Sequence, residues 1–275
     1  TVTSVTASPV LITDATAGTG TFTVTVVFSE DMLTDGSADP VLTFDPSVAS
    51  TLAFSSGSWS DSKTYVATYD VTDAEVDVDS VTIDVTGAKD VNGNAQQDYS
   101  PVSEFAIDTV NPTVDSVTTN LSTVTGAYIG SGTFTVTVVF SEDMLTDGTA
   151  NPTLTFSPAV SALTFSSGSW NSTTNTYTAT YDVNDVNLSI ANVTIDVEGA
   201  KDANGNAQQN YAPQNEFAVN MHKEGTLSIV KTASGTVYHG GTITYSYAVT
   251  YSDEKYPNQA FSGATNIVIV DSTAI

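Results

Sequence analysis

Cysteine is missing from this 275-residue chain, and so is arginine; six lysines face 31 Asp and Glu, a formal net charge of −25. Without cysteine there is no disulfide framework, and an exported multidomain chain that does without one points to a bacterial or archaeal source. Without clustered Lys and Arg there is nothing to pair with phosphate, which excludes nucleic acid as a partner and argues against anionic membranes. No apolar run approaches about 20 residues, so no segment reads as a membrane-inserting helix, and no secretory leader is recognisable. The two histidines, His222 and His239, both fall outside the repeated segments described below. With no cysteine nucleophile and no G-x-S-x-G elbow, the chain reads as non-catalytic. Acid pairs such as Glu30–Asp31 read as exposed loop charges, since no aromatic cleft flanks them as glycosidase work would need.

What is present is repetition. TFTVTVVFSEDMLTDG at residues 21–36 returns letter for letter at 133–148, a displacement of 112 residues. LAFSSGSW (52–59) returns as LTFSSGSW (163–170), and GAKDVNGNAQQ (87–97) as GAKDANGNAQQ (199–209). A period this long is a small domain and too long for a solenoid unit. The reading is repeat one over residues 1–110, repeat two over 111–221, and an incomplete third module over 222–275. Thr1 aligns with Thr113, just inside the second repeat, which suggests a window cut from a longer polypeptide.

Helical periodicity is absent and period-two alternation is pervasive. Phe22, Val24, Val26 and Phe28 alternate with threonines, as do Tyr65, Ala67, Tyr69 and Val71 with polar neighbours. This is the pattern of antiparallel strands with one wet face. Seven strands per repeat are expected, in repeat one near residues 2–12, 21–28, 41–44, 52–54, 64–71, 81–85 and 104–107. That count suits tandem immunoglobulin-like β-sandwiches in an all-β chain, and the short linker around Pro112 suggests an extended rod.

The segments VTVVFSEDM, GAKDxNGNA and DTxNPTVDSV resemble the immunoglobulin-like repeats of large bacterial surface adhesins and other secreted repeat proteins. The tail, GTLSIVKTASGTVYHGGTITYSYAVTYS followed by SGATNIVIVDS, looks like the first half of an immunoglobulin-like "conserved repeat" module of envelope proteins. The resemblance implies extracellular, cell-surface, structural work. The leading expectation is a stalk or extender segment of an adhesin or filament, contacting its neighbouring modules and in a fibre other copies of itself. Two alternatives stay open: a carbohydrate-binding accessory module of a secreted glycan-active enzyme, and a self-assembling surface-layer or fibre subunit.

The acidic surplus suggests a divalent-cation protein. In a seven-strand sandwich the B–C and F–G loops share one end and the E–F loop the other. At the junction of the repeats, Asp73, Glu75 and Asp77 of repeat one would therefore meet Asp108 and Asn111 of the linker. Glu142, Asp143, Asp202 and Asn204 of repeat two would face them. Calcium takes about 6–8 such oxygens, and the family resemblance points the same way, so a structural Ca2+ is expected there. No equivalent site is expected after repeat two, where Asp108 becomes Asn220 and Asn111-Pro112 gives way around Lys223 and Glu224.

Other features read blandly. Trp59 and Trp170 share a repeat position and are expected to pack at the sandwich edge. The Asn-Gly pairs of DVNGN and DANGN suit hairpin turns. Asn120, Asn171, Asn187 and Asn192 begin glycosylation sequons, which chance supplies readily in a chain rich in Asn, Ser and Thr. Lys231 reads as an ordinary strand lysine, although some surface modules place an isopeptide lysine in such a strand. The third module supplies only three or four strands, leaving an apolar face and an open edge.

Overall fold

The computed structural model describes residues 1–221, 226–234 and 244–252. In repeat one the strands are β1 (Val2–Ser8), β2 (Leu11–Ile12), β3 (Gly18–Phe28), β4 (Val41–Asp45), β5 (Leu52–Trp59), β6 (Thr64–Val71), β7 (Asp77–Thr86) and β8 (Ser103–Asp108). They form two four-stranded sheets, β1-β3-β6-β5 and β2-β8-β7-β4. The first strand is split between the sheets: Pro9, with no N–H to give, ends β1, and β2 then runs parallel to β8 in the other sheet. This A-B-E-D and A′-G-F-C order is that of an immunoglobulin-type sandwich.

Repeat two is built the same way from β9 (Val114–Thr119), β10 (Thr123–Thr125), β11 (Gly130–Phe140), β12 (Thr153–Ser157), β13 (Leu163–Trp170), β14 (Thr176–Val183), β15 (Ser189–Glu198) and β16 (Asn215–Asn220). Its sheets are β9-β11-β14-β13 and β10-β16-β15-β12. Beyond it, β17 (Thr226–Ser234) and β18 (Thr244–Ser252) pair antiparallel. Lys231 lies on β17 opposite Tyr247. The expected third tail strand, residues 266–270, and the segment at Lys223 and Glu224 lie outside the described residues, as do both histidines.

Alternation decides the packing. Along β6 and β14 every second residue is buried, and Phe22, Val24, Val26, Phe134, Val136 and Val138 are fully enclosed. Phe22 meets Phe105 across the sandwich at 4.7 Å between ring centres, and Phe134 meets Phe217 at 4.8 Å. Each fully buried side chain of this size contributes about 1.5–3 kcal/mol. The buried apolar residues fall into two clusters, one confined to residues 7–107 and one to 124–221.

Several strands run longer than their sequence patterns suggest. The strand expected over residues 52–54 continues through SSGSW to Trp59 as β5, with a bulge between Phe54 and Ser56. The small residues serve a close approach: a Cβ on Gly57 would lie 1.9 Å from the Tyr65 hydroxyl, and one on Gly168 would lie 1.7 Å from that of Tyr177. Likewise β7 starts at Asp77, ahead of the regular alternation, because the register shifts between Val78 and Val81.

Candidate metal centre between the repeats

The linker is tied down at nearly every residue. Thr109, fully buried, exchanges backbone and hydroxyl bonds with Val76. Asn111 donates through its backbone N–H and its Nδ2 to the two carboxylate oxygens of Glu75, at 3.0 and 2.8 Å. Pro112 O accepts from Gln209 N at 2.8 Å, and Thr113 N donates to Ser141 Oγ at 3.0 Å. Glu75 itself sits at φ +50°. A left-handed glutamate costs roughly 1–3 kcal/mol and persists only where its surroundings enforce it. Here the enforcement comes from Asp73, which accepts from Glu75 N at 3.2 Å, and from Asn111.

On the repeat-two side the D-x-N-G-N turn forms a rigid cup. Gly205 holds φ +96°, the left-handed step that only glycine takes without strain. Asp202, 1% exposed, accepts from the backbone N–H groups of Asn204 and Asn206, at 2.9 and 2.8 Å. Asn206 is fully buried, and its amide is fully used. Its Nδ2 donates to Asp202 Oδ2 at 2.7 Å and to Asp108 O at 3.0 Å, and its Oδ1 accepts from Asp14 N at 3.0 Å. Asn204 Nδ2 donates to Asp108 Oδ2. Strand end, 3-10 turn (Asp14–Thr16) and repeat-two turn are thereby joined.

Within this frame Asp108, Glu142 and Asp202 each offer a carboxylate oxygen within 4.8 Å of the others. That is the widest spacing two oxygens on one calcium ion take, twice a bond of about 2.4 Å. None of the three has a cationic partner within 4 Å among the described residues. Each unneutralised pair at this spacing costs about 3–4 kcal/mol at an effective dielectric of 20, and about 1 in water. Burial, then Asp202, Asp108, Asp77 and Asp143, push the Glu142 carboxyl up to about 7. Burial and then Asp73, Glu75, Asp202 and Asp108 raise that of Asp14, and burial followed by Asp108 and Asp79 raises that of Asp77. Three buried side-chain oxygens lack a hydrogen-bond partner among the described residues, and two of them, Asp14 Oδ1 and Asn111 Oδ1, belong to this junction. The donor set is all oxygen and suits a hard cation such as Ca2+ rather than Zn2+.

Of the residues expected at the site, Asp108, Glu142 and Asp202 converge, and Asn204 holds Asp108. Asp73, Glu75 and Asn111 form an adjoining set whose carboxylates buttress the linker. Asp143 turns aside and accepts from Thr174 Oγ1 at 2.6 Å. Sequence reasoning missed Asp14 and Asn206. Asn206 was visible in the repeated D-x-N-G-N, where its second-repeat copy is sealed and its first-repeat copy, Asn94, is exposed.

Elsewhere, each tryptophan lies edge-on to a tyrosine, Trp59 to Tyr65 at 5.3 Å and Trp170 to Tyr177 at 5.1 Å. The indole N–H groups donate to Asp39 and Asn151. Among the sequons, Asn120 is sewn to the Thr133 and Thr135 backbone, whereas Asn171 stands at the exposed tip of the β13–β14 hairpin. Among the described residues no helix is long and apolar enough to cross a membrane.

No protein-family model matches the chain, and a search of curated proteins finds no match. Among solved structures it is similar to domains 1–6 of the surface layer protein SbsC, at 15% identity over 95% of this chain and 33% of that one. The chain thus spans about a third of that solved chain, with a TM-score of 0.24.

Proposed function

We propose that the chain is a non-catalytic extender segment of a long bacterial or archaeal cell-surface protein, its first two modules locked end to end by a structural calcium ion. The observation that carries this reading is the carboxylate trio Asp108, Glu142 and Asp202, drawn from both repeats onto a linker that is bonded along its length. Bound Ca2+ would offset the mutual repulsion of the trio, and Asp14 and Asn111 each hold a buried oxygen that has no hydrogen-bond partner among the described residues. The family resemblance to immunoglobulin-like adhesin repeats supports an extracellular place and contacts chiefly with neighbouring modules. The glycan-binding alternative has less support, because each indole N–H is already committed, that of Trp59 to Asp39 and that of Trp170 to Asn151. Small-angle scattering tests the reading. Calcium should narrow the distribution of overall dimensions relative to chelator, and Asp202→Asn should remove that change. Identical profiles with and without calcium would defeat it.

A further inference from the structure

We propose that Asn171 is the glycan acceptor of the folded chain, taking an oligosaccharide from a polyprenyl-phosphate-linked donor. This rests on the extracellular place proposed above and is independent of the cation. The sequence carries four Asn-x-Ser/Thr acceptor triplets, beginning at Asn120, Asn171, Asn187 and Asn192, and all four fall in repeat two. Repeat one has Ser8, Ser60, Glu75 and Ser80 at the corresponding positions and carries no such triplet. The attached saccharide is bulky, so a usable triplet has to stand clear of the protein surface. The structure sorts the four on that ground.

Three of them are held in the fabric of the domain. Asn120 donates through Nδ2 to Thr133 O at 3.0 Å and accepts from Thr135 N at 2.9 Å, and Leu121 beside it packs against the core. In the triplet at Asn187, Leu188 packs against the same core and its carbonyl accepts from Met221 N at 2.8 Å, while Ser189 opens β15 opposite Asn220. Asn192 lies within β15, followed by the fully buried Val193 and by Thr194, which is paired with Ser157 on one side and Asn215 on the other. In Asn171-Ser172-Thr173, by contrast, all three residues are exposed and none belongs to a strand.

This hairpin tip is also where the repeats part. Between Trp59 and Thr64 repeat one has Ser60-Asp61-Ser62-Lys63. Between Trp170 and Thr176 repeat two has Asn171-Ser172-Thr173-Thr174-Asn175, one residue longer and without charge, although the flanking strands are nearly the same. The longer loop places Thr174 at φ +61°, a conformation β-branched residues rarely take. Asp143 accepts from the Thr174 hydroxyl at 2.6 Å and Thr174 O accepts from Met144 N at 3.1 Å, which fixes the base of the loop and leaves 171–173 in solvent. Asn171 Nδ2 donates to the Thr173 hydroxyl at 2.5 Å, so the two groups that define the acceptor already lie together. Transfer joins Asn171 Nδ2 to the anomeric carbon of the donor's first sugar. The C–O bond there breaks, its electron pair leaves on the polyprenyl phosphate, and one amide proton passes to a base of the transferase.

The test mixes the folded full chain with an archaeal oligosaccharyltransferase and its polyprenyl-phosphate-linked oligosaccharide, and maps the product by mass spectrometry of its peptides. One saccharide should appear, on the peptide holding Asn171. Asn171→Gln and Thr173→Ala should each abolish transfer, and Thr173→Ser should keep it. Short peptides carrying each of the four triplets should all accept, because the fold makes the choice. The protein from its native source should carry a saccharide at the same residue. The inference is overturned by a folded chain that takes no saccharide, by transfer that survives Asn171→Gln, or by a bare Asn171 in the native protein. Acceptance by the Asn171 peptide alone overturns the claim that the fold selects the site. A bare chain that still binds calcium leaves the joint between the repeats standing.

Discussion

Replacing Glu142 by glutamine should have opposite effects with and without calcium. The side chain is half-buried, accepts no hydrogen bond among the described residues and faces Asp108 and Asp202 within 4.8 Å. Without a cation its charge is a liability. Its carboxyl is held at about 7 against an ordinary 4.5, a difference that would be worth about 3 kcal/mol if fully felt and about 1–2 after solvent screening. At pH 8 in chelator, Glu142→Gln should therefore raise the stability of the junction by about 1–2 kcal/mol, or roughly 4–8 °C in melting temperature per kcal/mol. In saturating calcium the same change removes one of three charged ligands and should lower affinity by about 10-fold or more. Thermal melts in chelator and in calcium, with calcium titrations of each protein, read both halves. The exposed Glu198→Gln serves as control and should move neither. The reasoning is refuted if Glu142→Gln shifts stability in the same direction and by the same amount in both conditions.

Stability without calcium should depend on pH. A carboxyl whose folded pKa is raised contributes stability that is complete below its unfolded value of 4.5 and is lost as pH rises through about 7; Asp14 and Asp77 act in the same direction. Melts in chelator should accordingly be higher at pH 5 than at pH 8, and a flat profile would contradict this. Gly57→Ala drives a methyl into the Tyr65 hydroxyl and should cost about 1–3 kcal/mol, measured by denaturant unfolding. Phe22→Ala and Phe134→Ala should each cost about 3–5 kcal/mol. Because the two cores share no buried residue, calorimetry in chelator should show each variant lowering one transition and sparing the other.

The fold was legible because alternation and repetition agree. Phe22, Tyr69, Ile83 and their partners Phe134, Tyr181 and Ile195 are buried where the period-two pattern puts them. Lengths were less legible: β5 runs on through SSGSW because Gly57 makes room for Tyr65, a fact about a neighbouring strand that no local propensity carries. The junction was legible at the level of loops, since strand order alone sets the B–C and F–G loops of repeat two against the linker. Which carboxylates converge was not. Asp143 lies next to Glu142 in sequence, yet the Thr174 hydroxyl draws it away. Asp14 is invisible as a junction residue because it follows β2 in a 3-10 turn and reaches Asn206 across 192 residues. The substitution of Gly126 at its repeat-two position is the trace the sequence leaves of it.

Calcium titration calorimetry on the chelator-stripped chain addresses the junction most directly. The account predicts saturable binding at pH 8 that Asp202→Asn abolishes while Asp90→Asn, at the same turn of repeat one, leaves it in place. Absence of binding, or binding that survives Asp202→Asn unchanged, would contradict it.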